Sequence, residues 1–213
     1  MGRIFEHAEP YLDQISPGSE FVEIGSSRNG DGHLRVGGDG GSTVIIAGWA
    51  QRCNQVLHTI DIDLEQIKLV EQFNIPNIQT YCETGEKWLY EKSYNALHPI
   101  GFLYLDNFDW DWHPEKSEDF VVEQKLKYQS FGLDMNNVNS QRAHLTQAMY
   151  AVHHMAPASL IVCDDTWYNK WWGHYSGKSG SAIPFLLNHG YQVIYTEEQP
   201  VYGTILGRGI VKK

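Results

Sequence analysis

Short apolar runs that alternate with helical stretches are the feature of this sequence that most constrains its fold. Seven runs predict strands, at 21–24, 56–61, 78–82, 100–105, 159–163, 192–196 and 202–206. Between them, apolar residues recur at helical spacing, at 42–50, 64–73, 139–154 and 183–188. This alternation predicts an α/β domain built on a largely parallel sheet.

Composition favours one domain and disfavours some partners. The 213 residues are 42% hydrophobic and 13% aromatic, which is enough to bury a sizeable core. Asp and Glu number 26 against 16 Lys and Arg, and the resulting net charge of −10 opposes binding to a phosphate backbone. We therefore expect a single domain over 1–213, a small-molecule partner and no nucleic acid.

Targeting signals are absent from the sequence pattern. No apolar run approaches the roughly 18 residues of a membrane span, and the first residues lack the apolar core of a signal peptide. We expect no membrane partner and a cytoplasmic location, and a homo-oligomer is compatible with the sequence.

The three cysteines are widely spaced, which predicts buried thiols and no disulfide framework.

The first predicted strand runs directly into a glycine-rich turn. Gly25 and Gly30 lie in this turn, and Glu23 precedes Gly25 by two residues. Glycine allows a positive φ and a close approach of backbone to ligand. The spacing is not the GxGxxG that binds a pyrophosphate, which disfavours a dehydrogenase. A tight connection between strand and helix is the structural alternative.

Acidic residues end three of the predicted strands. Asp61 ends the second, Asp106 the fourth, and the pair Asp164 and Asp165 the fifth. In an open parallel sheet, ligands bind outside these carboxyl ends. Neighbouring anions are costly there unless protons or a cation compensate, so the last three carboxylates predict a site for a hard divalent cation. The alternative is that they are ordinary turn residues.

These motifs resemble two related families. The glycine turn with Glu23 and Asp61 resembles motif I of class I S-adenosylmethionine-dependent methyltransferases. Asp106, Asp164 and Asp165 resemble the metal site of the cation-dependent O-methyltransferases of the catechol, caffeoyl-CoA and macrolide-sugar groups. The resemblance implies a doubly wound, Rossmann-like sheet of seven mostly parallel strands with an antiparallel C-terminal strand. It also implies S-adenosylmethionine and Mg²⁺, or another hard divalent cation, and methyl transfer to a small molecule with vicinal oxygens, phenolic or sugar-like.

The resemblance assigns roles to individual residues. It implies cofactor contacts from Glu23, Gly25, Ser26, Gly30, Ser42, Asp61, Glu83 and Thr84. Asp61 would accept hydrogen bonds from the ribose hydroxyls, and we prefer it to Asp63 because Asp63 is placed to cap the next helix. The family base, a Lys or His, lies three residues after the strand-four Asp, where this chain has Asp109. Asp109 is then either the base itself, or a metal ligand or substrate contact. In the second case His113 or His144 would be the base.

Two segments interrupt the alternation, 33–41 and 111–140, and we expect both to be loops or lids at the ligand-binding edge. Aromatic residues flank the predicted metal site and either stack on the acceptor or pack together: Trp110, Trp112, Trp167, Tyr168, Trp171 and Trp172.

Two other functions stay open. A metal-independent methyltransferase acting on nitrogen or on a carboxylate would use the strand-end Asp residues to bind an amine. A protein that keeps the cofactor fold without transferring methyl groups is the alternative outside enzymes, and Asp109 at the position of the usual base favours it.

Overall fold

The computed structural model describes residues 2–27, 41–95, 98–111, 117–198 and 203–212. Gly30, Trp112, His113 and nearly all of the predicted 33–41 lid lie outside these residues, so their predicted roles stay predictions.

Helices and strands alternate along the described chain, as predicted. The helices are α1 (Gly2–Ala8), α2 (Ser42–Arg52), α3 (Leu64–Gln72), α4 (Gly85–Asn95), α5 (Glu118–Ser130), α6 (Asn137–Ala151) and α7 (Ala182–Asn188), with a 3₁₀ helix at Glu9–Gln14. The strands are β1 (Glu20–Ile24), β2 (Leu57–Asp61), β3 (Ile78–Cys82), β4 (Ile100–Leu105), β5 (Met155–Asp164), β6 (Thr166–Asn169), β7 (His174–Gly177), β8 (Gln192–Thr196) and β9 (Gly203–Arg208).

Seven strands form one sheet in the order β3-β2-β1-β4-β5-β9-β8. The strands β1 to β5 pair in parallel, whereas β9 runs antiparallel to both β5 and β8. The strand order reverses between β1 and β4, which is the switch point where open α/β sheets bind ligands. The predicted doubly wound sheet is therefore confirmed, together with its antiparallel C-terminal strand.

The core lies on both faces of this sheet because successive side chains of a strand point to opposite sides. On one face, Phe102 and Tyr104 of β4 pack with α1 and α2. On the other face, Leu103 and Leu105 pack with α4, α6 and α7. Both faces are covered, which explains why β4 is a continuous buried apolar run.

Two features were not expected. The segment 111–140, predicted as a loop or lid, contains the helix α5, so the loop interpretation is wrong over that helix. Most residues of α5 are polar, and its apolar residues Val122 and Leu126 are exposed. The sequence therefore shows no apolar stripe that would indicate a helix here. The second feature is a separate hairpin of β6 and β7 directly after β5.

None of the described helices is long and apolar enough to cross a membrane.

Candidate active site

A cavity of about 310 Å³ opens at the carboxyl ends of β1 and β2, next to the switch point. Its size lies at the lower end of the range for small-molecule pockets, which is roughly 300–1,000 Å³. Residues from β1, β2, the start of α4, the loop after β4 and the α5 region line it: Ile24, Gly25, Ile60, Asp61, Ile62, Asp63, Gln66, Glu83, Thr84, Gly85, Glu86, Asn107, Phe108, Gln124, Lys127, Tyr128, Phe131 and Leu133. Four of the predicted cofactor residues, Gly25, Asp61, Glu83 and Thr84, are therefore on its wall.

Gly25 is the point where β1 and β4 approach each other. Its φ is +97°, and a Cβ added there would lie 2.7 Å from the backbone carbonyl of Asp106. Its N–H donates to the carbonyl of Ile60 at 2.9 Å, and the N–H of Asp106 donates to Ile24 at 2.9 Å. Only glycine fits here, so the first glycine of the motif is required by the geometry of the turn.

Asp61 presents a fixed carboxylate to the cavity. Its Oδ2 accepts from the Ser26 N–H at 3.0 Å and its Oδ1 from the Asp63 N–H at 2.8 Å. A carboxylate accepts hydrogen bonds and donates none, so the Asp61 side chain is of the type suited to contact ligand hydroxyls.

Asp63 is committed to two other partners. Its Oδ1 accepts from the Glu65 N–H at 2.9 Å and caps α3, as predicted, and its Oδ2 lies 2.7 Å from Nζ of Lys127. Burial disfavours the charged carboxylate, but Lys127 and the Glu65 N–H outweigh it and lower the pKa of Asp63. This arrangement supports Asp61 as the ribose ligand, which stays a prediction.

Glu23 joins β1 to α2 and β2 inside the protein. It is fully buried, and its Oε2 accepts hydrogen bonds of 2.7 Å from the hydroxyls of Thr43 and Thr59. Burial raises the pKa of Glu23 to about 7, although these hydroxyls favour the charged form. Glu23, Ser26 and Ser42 are all buried and are not among the cavity-lining residues, so their predicted cofactor contacts stay untested.

Glu83 and Thr84 join the cavity to the start of α4. Glu83 pairs with Lys87 at 2.7 Å, and Oγ1 of Thr84 accepts from the Lys87 N–H at 3.2 Å. These contacts fix both residues at the end of β3, where the resemblance places residues near the adenine.

The outer wall of the cavity comes from α5. Lys127 ties this helix to Asp63, and the Tyr128 ring packs against Phe108 with the ring centroids 5.0 Å apart. The Tyr128 hydroxyl accepts from the Asp109 N–H at 2.7 Å. The described part of 111–140 thus covers the cavity, and its opening as a lid stays a prediction.

A cluster of carboxylates lies beside the cavity at the ends of β4 and β5. One oxygen from each of Asp106, Asp164 and Asp165 lies within 4.8 Å of the other two. The pairing of Leu105 with Cys163 brings the two strand ends side by side, so the three residues meet as the sequence predicts. Burial, with Asp106 and Asp165 nearby, raises the pKa of Asp164 well above its usual range.

Lys178, which the sequence analysis did not identify, lies inside this cluster. Its side chain is 2% exposed, and Nζ is 2.8 Å from Asp106, 3.1 Å from Asp165 and 3.3 Å from Asp109. Burial alone would lower the pKa of Lys178, but the surrounding carboxylates raise it well above its usual range. No local pattern marks this lysine, because the β6–β7 hairpin brings it back to the cluster.

The structure bears on two of the base candidates. Asp109 is buried beside the Lys178 ammonium. His144 is also buried, with Nδ1 placed 2.8 Å from the carbonyl of Ser140, and burial lowers its pKa to about 4. A neutral imidazole with such a low pKa is a poor general base at neutral pH.

The aromatic residues divide into two groups. Trp110 and Trp167 are buried and pack against each other with the ring centroids 5.4 Å apart. Trp171 and Trp172, at the tip of the β6–β7 hairpin, are 94% and 73% exposed. Mutual packing, the structural alternative for these residues, therefore holds for the first pair.

Comparison with known proteins identifies the fold. No protein-family model matches the sequence, and no curated protein matches it. A protein from Streptococcus mutans, named as a candidate methyltransferase and solved with S-adenosylhomocysteine, is 13% identical, with a TM-score of 0.52 and 98% of both chains covered.

Two further solved structures are similar. An O-methyltransferase from Bacillus cereus, in complex with S-adenosylhomocysteine, is 12% identical with a TM-score of 0.54, covering 98% of this chain and 80% of that one. An rRNA methylase from Streptococcus thermophilus is 8% identical with a TM-score of 0.50, covering 98% and 96%. Identities this low establish the fold alone. The chain has the Rossmann-like fold of the methyltransferases.

Proposed function

We propose that this protein is an S-adenosylmethionine-dependent O-methyltransferase that acts on a small molecule with vicinal oxygens, phenolic or sugar-like. The observation that carries the proposal is that the backbone of Gly25, on the cavity wall, closely approaches the backbone of Asp106, which belongs to the carboxylate cluster. A cofactor in the cavity would place its reactive end near the cluster.

Two residues of the cavity wall support S-adenosylmethionine as the cofactor. Gly25 and Asp61 both line the cavity, and a carboxylate, which accepts without donating, is the group suited to two ribose hydroxyls. Bound S-adenosylmethionine supplies a methyl group that is already electrophilic on its sulfonium. The protein then has to orient the acceptor oxygen, exclude water and remove a proton.

The carboxylate cluster fits an acceptor that donates hydroxyl hydrogens. Carboxylates accept without donating, so two adjacent hydroxyls match two adjacent carboxylates. Asp109 and His113 stay our proposed bases from the sequence, and Asp109 would have to take up a proton beside the Lys178 ammonium, which favours its charged form.

Metal dependence is the alternative form of this function. Asp106, Asp164 and Asp165 offer oxygen ligands within 4.8 Å, the donor type that Mg²⁺ prefers. Lys178 already lies 2.8 Å and 3.1 Å from two of these residues, so a metal would have to displace its ammonium.

Acceptors of other kinds are less well supported. An amine would be attracted by the carboxylates, which keeps an N-methyltransferase as the rival enzyme. An RNA acceptor, suggested by the name of one structural neighbour, conflicts with the net charge of −10.

Thermal unfolding with S-adenosylhomocysteine, with NAD as the control ligand, tests the cofactor. A ligand at a hundred times its Kd stabilises by about 2.7 kcal/mol, so the midpoint should rise by roughly 5–10 °C. Absence of a shift with the homocysteine product would overturn the proposal.

Transfer of a labelled methyl group to panels of vicinal diols, phenols and amines tests the acceptor. We expect labelled diols or phenols. Labelling of amines alone would support the rival enzyme, and cofactor binding without transfer to any panel would support the binding protein.

A further inference from the structure

The ammonium of Lys178 has a complete set of anionic partners. An ammonium carries three N–H donors and no acceptor, and three carboxylates lie within 3.3 Å of Nζ, from Asp106, Asp109 and Asp165. These residues come from the loop after β4 and the end of β5. One side chain therefore connects both strand ends that form the carboxylate cluster.

The backbone fixes Lys178 in this position. The Lys178 N–H donates to the carbonyl of Asp165 at 3.1 Å, which closes the β6–β7 hairpin on the end of β5. The preceding residue, Gly177, has a φ of +93°, and a Cβ there would lie 1.9 Å from the Asp165 carbonyl oxygen. The hairpin can return to the cluster only because position 177 is glycine.

Charge explains why such a residue is needed. Like charges that are buried together are unfavourable unless a cation compensates them. A divalent metal at the same carboxylates would place a second cation beside the ammonium and compete for the same oxygens. The side chains as arranged therefore suit the lysine and do not suit a metal.

We propose that the Lys178 ammonium is the built-in cation of this site. It holds Asp106, Asp109 and Asp165 together and takes the role that the sequence analysis gave to a divalent metal, so the protein works without one. Lys178 is thus a positioning residue that acts through the carboxylates. Its effect on methyl transfer rests on the proposed function, whereas its effect on metal binding does not.

Metal binding to the unmodified protein is the first test. We expect titration calorimetry with Mg²⁺ and with Mn²⁺ to show no stoichiometric site, and the unfolding midpoint to be the same in Mg²⁺ and in a chelator. A site of one metal per chain that is lost on Asp164→Asn substitution would overturn the proposal.

Lys178→Met supplies the second test, because it removes the ammonium and leaves the carboxylates. Breaking a buried ion pair by removing one partner is strongly destabilising, so the unfolding midpoint should fall by roughly 10 °C. Mg²⁺ or Mn²⁺ should restore at least half of this loss, and adding Asp164→Asn should abolish the restoration. A merely structural lysine would give destabilisation without any response to metal.

Lys92→Met is the matched control. Lys92 is also a poorly exposed lysine paired with a carboxylate, that of Glu20, but it lies outside the cluster. It should lower the midpoint without creating a response to metal. Lys178→Arg keeps the charge and should remain unresponsive as well.

The remaining outcomes also decide the question. If Lys178→Met folds only when a divalent cation is present, the proposal is supported. If it folds and ignores metal, the proposal is overturned. Binding of S-adenosylhomocysteine is measured on the same samples, so failure of the proposed function would appear as loss of that binding in the unmodified protein.

Discussion

Two carboxylates on the cavity side of the site, those of Glu23 and Asp61, are held by different means from the carboxylates of the cluster. Glu23, buried behind the cavity, and Asp61, on its wall, accept from neutral donors, namely the threonine hydroxyls and the backbone N–H groups of Ser26 and Asp63. At the carboxylate cluster, a buried ammonium from Lys178 binds the acids. Neutral donors are enough to stabilise a single carboxylate, whereas several neighbouring carboxylates need a compensating positive charge.

The difference separates two functions of acidic side chains at this edge of the sheet. Neutral donors fix the Asp61 carboxylate on the wall of the cavity. The ammonium keeps like charges together and thereby shapes the surface that an acceptor would meet. Changes at the cavity should therefore alter cofactor binding and the pH dependence of stability, and changes at Lys178 should alter the response to cations.

Gly25→Ala should have the largest effect, because it acts where the cavity wall approaches the cluster. The new methyl group would clash with the Asp106 backbone and force alanine into a positive φ. We expect a loss of about 2–5 kcal/mol in the free energy of unfolding, measured by urea titration, together with loss of S-adenosylhomocysteine binding. Gly18→Ala, also at positive φ but with open space around the added Cβ, is the control and should lose only about 1–2 kcal/mol. Equal losses in the two variants would show that the close approach is unimportant.

Glu23→Gln should remove the part of the pH dependence of folding stability that comes from the buried Glu23 carboxyl group. The pKa of Glu23 is raised to about 7 in the folded protein, above its ordinary value of 4.5, so the folded state binds the proton more tightly than the unfolded state. This residue's contribution to stability is then present below about pH 4.5 and is lost as the pH rises through 7, a difference of about 3 kcal/mol.

Unfolding midpoints of the unmodified protein and Glu23→Gln at pH 5 and pH 8 check this prediction. The variant should gain relative to the unmodified protein on going to pH 8. A constant difference between the two proteins would mean that Glu23 is charged throughout.

Asp61→Asn should weaken S-adenosylhomocysteine binding by roughly 10- to 100-fold, because it replaces one acceptor oxygen by a donor and removes the charge. Calorimetric titration measures the change. Asp63→Asn is the matched control: asparagine still caps a helix, so the affinity should change only a few-fold. A larger effect at Asp63 would transfer the ribose contact to that residue.

Lys127→Met should have the smallest effect. The ion pair to Asp63 is partly exposed, and such pairs contribute little, so we expect the affinity for S-adenosylhomocysteine to fall about two- to three-fold. Lys125→Met, on the same helix but paired with Asp111 outside the cavity wall, should leave the affinity unchanged. The same affinity in both variants would argue against α5 as a lid that responds to the cofactor.

Local patterns predicted much of this protein. The bounds of β3, β4 and β8 agree with the apolar runs at 78–82, 100–105 and 192–196, and Asp63 caps α3 as its position indicated. Strand-end carboxylates were predicted to meet, and Asp106, Asp164 and Asp165 do. Periodicity and capping depend on residues close in the chain, which is why they are visible in the sequence.

The tertiary structure decided what lies between those carboxylates. Lys178 is 72 residues from Asp106 in the chain, and it reaches the cluster because the β6–β7 hairpin closes at Gly177 against Asp165. The burial of Trp110 against Trp167 and the placing of α5 over the cavity depend on similar long-range contacts. The sequence by itself determined the fold and where the acids gather, whereas the folded chain determined which cation faces them, because the partner of a buried charge is set by packing in space and not by neighbours along the chain.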